Sequence, residues 1–150
     1  MDRGRRLFRG TTIDWQGNLS LRQFELTPTT TDPFIATLFA LECRRHGSAV
    51  IYSVDLADVA HLIAPANVLA ELEREIVVNV APMRFIRDFN SWKIPVETAC
   101  QVLVELGVEL PGVISNKYHL QKVLEDARGN RRALPMTTID AFNSRLEALQ

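Results

Sequence analysis

At 150 residues, with 47% hydrophobic and 23% charged side chains, the chain has the make-up of an ordinary folded domain and is long enough to bury a sizeable core. A formal charge of -1 and a pI near 6.3 argue against a large nucleic-acid or membrane footprint, leaving local patches such as the four arginines among the first nine residues. No apolar run reaches membrane-spanning length, and the polar stretch after MDRGRRLFRG leaves no hydrophobic core for a secretory signal, so the expected location is a cytoplasm, the cell's own or that of a target cell.

Arg6 to Thr12 (RLFRGTT) reads as a brief first strand that ends in a tight turn. Gly10 would let the backbone approach a phosphate closely, and Arg9 beside it would grip a diphosphate with its planar fork of donors; the alternative is an arginine on a frayed terminus. Residues 14 to 26 hold a turn at Gly17-Asn18 and then a mediocre strand pattern. The next segment is better punctuated. Asp32 suits an N-cap, Pro33 the first helical position, and Arg44, Arg45 and His46 the carboxyl end before Gly47, which predicts a helix from Pro33 to about His46. Phe34, Ile35, Leu38, Phe39 and Leu41 cover more than one face of that helix and predict substantial burial. The hydroxyls of Thr29, Thr30 and Thr31 before its cap form either a turn or part of a site.

Ser48 to Leu56 (SAVIYSVDL) predicts a central strand. Residues 57 to 71 are ambiguous, with a turn at 64–66 and a helical possibility over 67–72. In Leu72 to Val80, period-two alternation puts Glu73, Glu75, Val77 and Asn79 on one side and Leu72, Ile76, Val78 and Val80 on the other, with Arg74 the one charge among them. One face reads as core and the other as a site; the alternative is a solvated helical turn over 66–75 with a strand beginning at Ile76. Met83 to Ile86 reads as a further short strand. Pro95 to Leu106, Ser115 to Ala127 and Thr137 to Leu149 carry helical caps and three-to-four spacing. The fold class is therefore α+β, with residues 1–90 as the mixed β body and 91–150 as a helical extension packed on it.

Cys43 and Cys100 lack metal-ligand spacing and fit buried free thiols in a reducing compartment. His46, His61 and His119 are scattered and read as ordinary surface or core histidines, so no metal is expected. Phosphate-loop, Rossmann-glycine and nucleophile-elbow motifs are absent from the sequence.

Three of these signals occur in a recognisable order. Phe8-Arg9-Gly10-Thr11, then Thr29-Thr30-Thr31 leading into a helix, then Glu73-Arg74-Glu75 leading into Ile76-Val77-Val78 resembles the mono-ADP-ribosyltransferase superfamily, in the branch marked by arginine, Ser/Thr-x-Ser/Thr and Glu-x-Glu. The stretch TTTDPFIATLFA, with Phe8-Arg9-Gly10, is also similar to FRG domains. The resemblance spans about residues 6–87. It implies an abbreviated transferase-like body, since little chain separates Arg9 from the threonines, and it leaves the three C-terminal helices unaccounted for.

The resemblance further implies NAD as substrate, no metal, and the site residues Glu75 and Glu73 (catalytic) and Arg9, Gly10, Thr11, Thr29 and Thr31 (NAD-binding). Cleaving NAD at its nicotinamide bond passes through an oxocarbenium-like ribose, where a carboxylate gains most from the developing charge. By the resemblance, Glu75 would stabilise that cation and hold a ribose hydroxyl, Glu73 would activate the acceptor, Arg9 would bind the diphosphate, and Thr29 would orient Glu75. The implied protein is a toxin or effector domain of the bacterial kind, with a macromolecular acceptor, protein or nucleic acid, and a neutralising partner protein. Two other classes stay open: a noncatalytic interaction module, and a helix-turn-helix DNA-binding regulator working through residues 95–150, although no basic face is evident there.

Overall fold

The computed structural model describes residues 5–12, 27–44, 48–63, 75–78, 80, 82–89, 91–129 and 134–150. Five strands, β1 (Arg6–Thr12), β2 (Thr27–Thr30), β3 (Ala49–Asp55), β4 (Glu75–Val78) and β5 (Trp92–Pro95), form one sheet in the order β4-β2-β1-β3-β5, every neighbouring pair antiparallel. β1 and β3 pair without a break from Arg6↔Asp55 to Thr12↔Ala49, whereas β1 and β2 meet at Phe8↔Thr30. The architecture is α+β, as the order of periodicities predicts.

The sheet is covered on both faces, which explains why β3 reads as a nearly continuous apolar run. Ala49 and Ile51 enter the larger core with Phe8, Ile94 and the helices α1 (Pro33–Cys43), α4 (Val96–Glu105), α5 (Lys117–Gly129) and α6 (Met136–Leu149). Val50, Tyr52 and Val54, one position out of phase, enter a smaller core on the other face. There they meet Leu7, Val78, Leu56 and Val59 of α2 (Leu56–Val59), and Phe85 of α3 (Pro82–Asp88).

Helix α1 starts where the cap chemistry places it. The Asp32 carboxylate accepts from the Phe34 amide at 2.9 Å, and Pro33 occupies the first turn. Nine of its eleven residues are buried, so its apolar side chains serve several surfaces at once. Arg44 follows as the C-cap, and the expected extension to His46 and the stop at Gly47 lie outside the described residues. Helix α4 ends at Gly107, whose φ of 86° turns the chain back so that the Val108 amide donates to the Leu103 carbonyl at 2.9 Å. Helix α5 opens with a reciprocal cap: Asn116 Oδ1 accepts from the His119 amide (2.8 Å) and His119 Nδ1 accepts from the Ser115 amide (3.0 Å).

Two expectations require correction. Met83 to Ile86 is not a strand but part of α3, because the segment buries Phe85 and closes an i,i+4 pair, Arg84–Asp88 at 2.9 Å, that only helical spacing brings together. The segment after residue 90 is not wholly helical, because Trp92–Pro95 pairs with β3 and completes the sheet. The ambiguous stretch after residue 57 resolves into the end of α2, a 3-10 turn at Ala60–Leu62, and an isolated bridge Ile63↔Val78. The strand pattern expected within 14–26 and the turn and helix expected over 64–72 lie outside the described residues.

The C-terminal helices pack on the sheet. Val96, Ala99, Val102 and Leu103 of α4, Leu120 and Leu124 of α5, and Ile139, Phe142 and Leu146 of α6 all enter the larger core, where Phe142 meets Phe8 edge-on at 5.8 Å. The connection from α4 to α5 runs from Leu106 to Asn116, longer than the three- to four-residue turn of a helix-turn-helix. Among the described residues no helix is long and apolar enough to cross a membrane.

Candidate functional site

The three sequence signals fall on three strands that lie side by side. Arg9 is on β1, Thr29 and Thr30 on β2, and Glu75 opens β4, in the sheet order β4-β2-β1. Glu75 lies in a strand, as its alternation predicts, with Val78 and Val80 buried and Ile76 half-buried. Of Glu75 the backbone alone is described, and Glu73 lies outside the described residues.

Register decides which threonine stands beside Glu75. Thr29 is opposite Ile76 and Thr30 is opposite Glu75. The Thr29 hydroxyl donates to the Ile76 carbonyl at 2.7 Å, and the Thr27 hydroxyl donates to the Val80 carbonyl at 2.9 Å, so these two side chains lace β2 to the chain of β4. Thr30 is buried, and its oxygen accepts the Asp32 amide at 3.1 Å. Its own proton is then available to a second acceptor, since a hydroxyl both accepts and donates. Thr31 is half-buried at the bend between β2 and α1.

On β1, Arg9 is half-buried opposite Tyr52, and Thr11 is buried opposite Val50. Register places Glu75 level with Phe8 through Thr30, and Arg9, the next residue along β1, is one position out of phase with that row.

Gly10 has a different employment from the one its sequence context suggests. A Cβ placed there would lie 2.0 Å from the Ala36 carbonyl oxygen and 2.7 Å from the Ala40 nitrogen. The group that approaches the Gly10 backbone is thus the backbone of α1, and a phosphate has no room on that side. Gly10 is better accounted for as the place where helix and strand touch.

Both cysteines are free thiols, half-buried. Burial raises the Cys43 pKa, with Glu42 adding to the shift and Arg9 and Lys117 opposing it. Burial likewise raises Cys100, against the pull of Arg44. Neither has the lowered pKa of a nucleophile. His61 is exposed, His119 serves the cap of α5, and His46 lies outside the described residues.

Sequence reasoning named Thr30 within its triplet without giving it a role, and passed over Arg6. Thr30 would have needed the strand register, which no local pattern carries. Arg6, at the start of β1, donates from Nε to Ser53 Oγ at 2.8 Å and stacks its guanidinium over the Trp92 ring, 3.5 Å from the centroid. The one sequence hint was its place two residues before Phe8, on the same side of the strand. A scan against protein-family models, a search of curated proteins and a search of solved structures each found no match.

Proposed function

We propose that the chain is an NAD-dependent mono-ADP-ribosyltransferase acting on a macromolecular acceptor, a protein in the first instance, inside a cytoplasm. The observation that carries this reading is the adjacency of the three signal-bearing strands. Residues 9, 29–30 and 75 are far apart in sequence, and the pairing β4-β2-β1 gathers them on one stretch of sheet.

In the reaction the bond between the nicotinamide nitrogen and the ribose breaks, nicotinamide departing with the electron pair. The acceptor nucleophile forms the new bond to the same ribose carbon and gives up its proton to Glu73. Glu75 stabilises the cationic ribose between these events, and Arg9 holds the diphosphate. Thr29 and Thr31 flank Thr30 at the Glu75 end, Thr11 lies beside Gly10 on β1, and a neutralising partner protein would guard the producing cell.

Labelled NAD with purified protein and a cell extract, followed by mass spectrometry of modified products, tests this directly. Glu75→Gln should cut both transfer and NAD hydrolysis by about 100-fold or more, with circular dichroism unchanged, because the amide keeps the shape and loses the charge. Glu73→Gln should cut transfer more than hydrolysis, since its partner is the incoming nucleophile. Full transfer by the Glu75 variant would remove that residue from catalysis. A second reading, a noncatalytic interaction module on the same body, is favoured by the structural employment of Gly10 and of the Thr29 hydroxyl. Absence of NAD turnover by the wild-type protein in every extract would select it.

A further inference from the structure

The connection from α4 to α5 ends on a histidine. Ile114, near its far end, is 1% exposed and sits in the larger core with Leu120 and Leu124 of α5, whereas Val113 beside it is 71% exposed. Between Ile114 and the body of α5 the chain is held by side-chain and backbone acceptors of the first turn. The Ser115 amide donates to His119 Nδ1 at 3.0 Å, while the His119 and Leu120 amides donate to Asn116, at Oδ1 (2.8 Å) and at the carbonyl oxygen (3.0 Å). Of these acceptors, the imidazole nitrogen is the one that a proton can remove near neutral pH.

A backbone amide donates and does not accept, so the Ser115 bond fixes the state of the ring: Nδ1 is bare, and the ring's proton is on Nε2. A second proton would turn Nδ1 into a donor facing another donor. It would also put a positive charge in the first turn of α5, where Lys117 already lies and where the helix dipole disfavours cations. Both effects act in the same direction. The other titratable groups around this end of α5 are Lys117, Tyr118 and Lys122 on the helix, Glu109 on the connection, and Glu42, Cys43 and Arg9 about the end of α1, whose thiol feels Lys117. Side chains of these kinds ordinarily change charge outside the range from about pH 5 to about pH 8, which leaves the imidazole as the group that responds within it.

We propose that His119 is an acid-released pin: neutral, it fastens the end of the α4–α5 connection to the first turn of α5, and protonated, it lets that end go while Asn116 keeps the helix capped. The device is local. Leu120 and Leu124 hold α5 in the core, so acidity changes the freedom of the connection around Val113 and leaves the fold in place. The surface there takes one form at neutral pH and another in mild acid.

Two nuclear magnetic resonance measurements on the full chain test this, and neither involves NAD. At about pH 7.5 the 15N shifts of His119 should show the tautomer with bare Nδ1; a proton on Nδ1 at that pH overturns the proposal. Amide exchange, expressed as protection factors to remove its intrinsic pH dependence, is then compared at about pH 7.5 and about pH 5. The Ser115 amide should lose about fivefold or more of its protection in acid, the scale of one lost cap bond, and the His119 amide, whose acceptor does not titrate, should lose less. His119→Gln keeps an acceptor where glutamine commonly caps helices and removes the titration, so its Ser115 protection should be the same at both pH values. His61 is present in both proteins and cancels from the comparison. Unchanged Ser115 protection in the wild type, an equal fall at Ser115 and His119, or the same fall in the Gln variant overturns the proposal. If the Gln variant does not protect Ser115 at neutral pH, the difference between the two wild-type amides decides.

Discussion

Glycine at position 10 shows how a residue chosen by packing can be read as one chosen for a ligand. The Ala36 carbonyl and the Ala40 nitrogen occupy the space a side chain would need, and both are backbone atoms that cannot rotate away. Gly10→Ala should therefore destabilise the protein by about 2 kcal/mol or more, the usual scale of overpacking, read as a lower midpoint in urea. Gly112, with nothing near its would-be Cβ, is the control: Gly112→Ala should be neutral or slightly stabilising. Equal losses at both positions would mean that α1 yields to the new methyl group. Thr29 teaches the same lesson. A threonine beside a site motif looks like a ligand-binding hydroxyl, yet its proton goes to the Ile76 carbonyl in the neighbouring strand.

Elements whose signals are local were legible in the sequence, and those that depend on partners were not. Helix α1 is announced by Asp32 and Pro33, and α4, α5 and α6 by three-to-four spacing, all within a few residues of themselves. β4 was legible from alternation because its two sides have different neighbours. β5 was missed because four residues carry little periodicity, and only pairing with β3 makes Trp92–Pro95 a strand. α3 was misread because Met83, Phe85 and Ile86 form an apolar cluster too short to separate period two from period 3.6. β1 and β4 were legible as strands, but β2 was not, and which threonine stands opposite Glu75 could not be anticipated, since a shift of one residue exchanges the sides of a strand. At this scale the cap is the point to test. Asp32→Ala should cost about 1–2 kcal/mol in chemical denaturation, and Asp32→Asn much less, because an amide oxygen can still accept the Phe34 amide. An Asn variant as weak as the Ala variant would assign the role of Asp32 to its charge rather than to its bond.

At the scale of the whole molecule, the two thiols make stability depend on alkaline pH. Cys43 and Cys100 have folded pKa values raised above the ordinary 9.0 by burial. A raised value means that the folded state keeps its protons while the unfolded chain loses them. The contribution is complete below the ordinary thiol value and is lost as pH rises from there through the folded values. Urea midpoints should accordingly fall from about pH 9 upward, and less steeply in Cys43→Ala/Cys100→Ala; identical slopes would place the alkaline loss elsewhere. The sheet has its own unevenness. β1 and β3 are joined along seven register pairs, from Arg6↔Asp55 to Thr12↔Ala49, but among the described residues β1 and β2 are joined at Phe8↔Thr30. β2 and β4 are laced to each other by Thr29, and the outer side of β4 carries the isolated bridge Ile63↔Val78. Such a seam lets a two-stranded ribbon open as a unit without unfolding the rest. Amide hydrogens of residues 27, 29, 30 and 75–78 should then exchange with solvent as one set, well ahead of those in β1 and β3. A mutation at Phe8 should quicken that set first, so the strand bearing Glu75 is the part of the sheet that breathes.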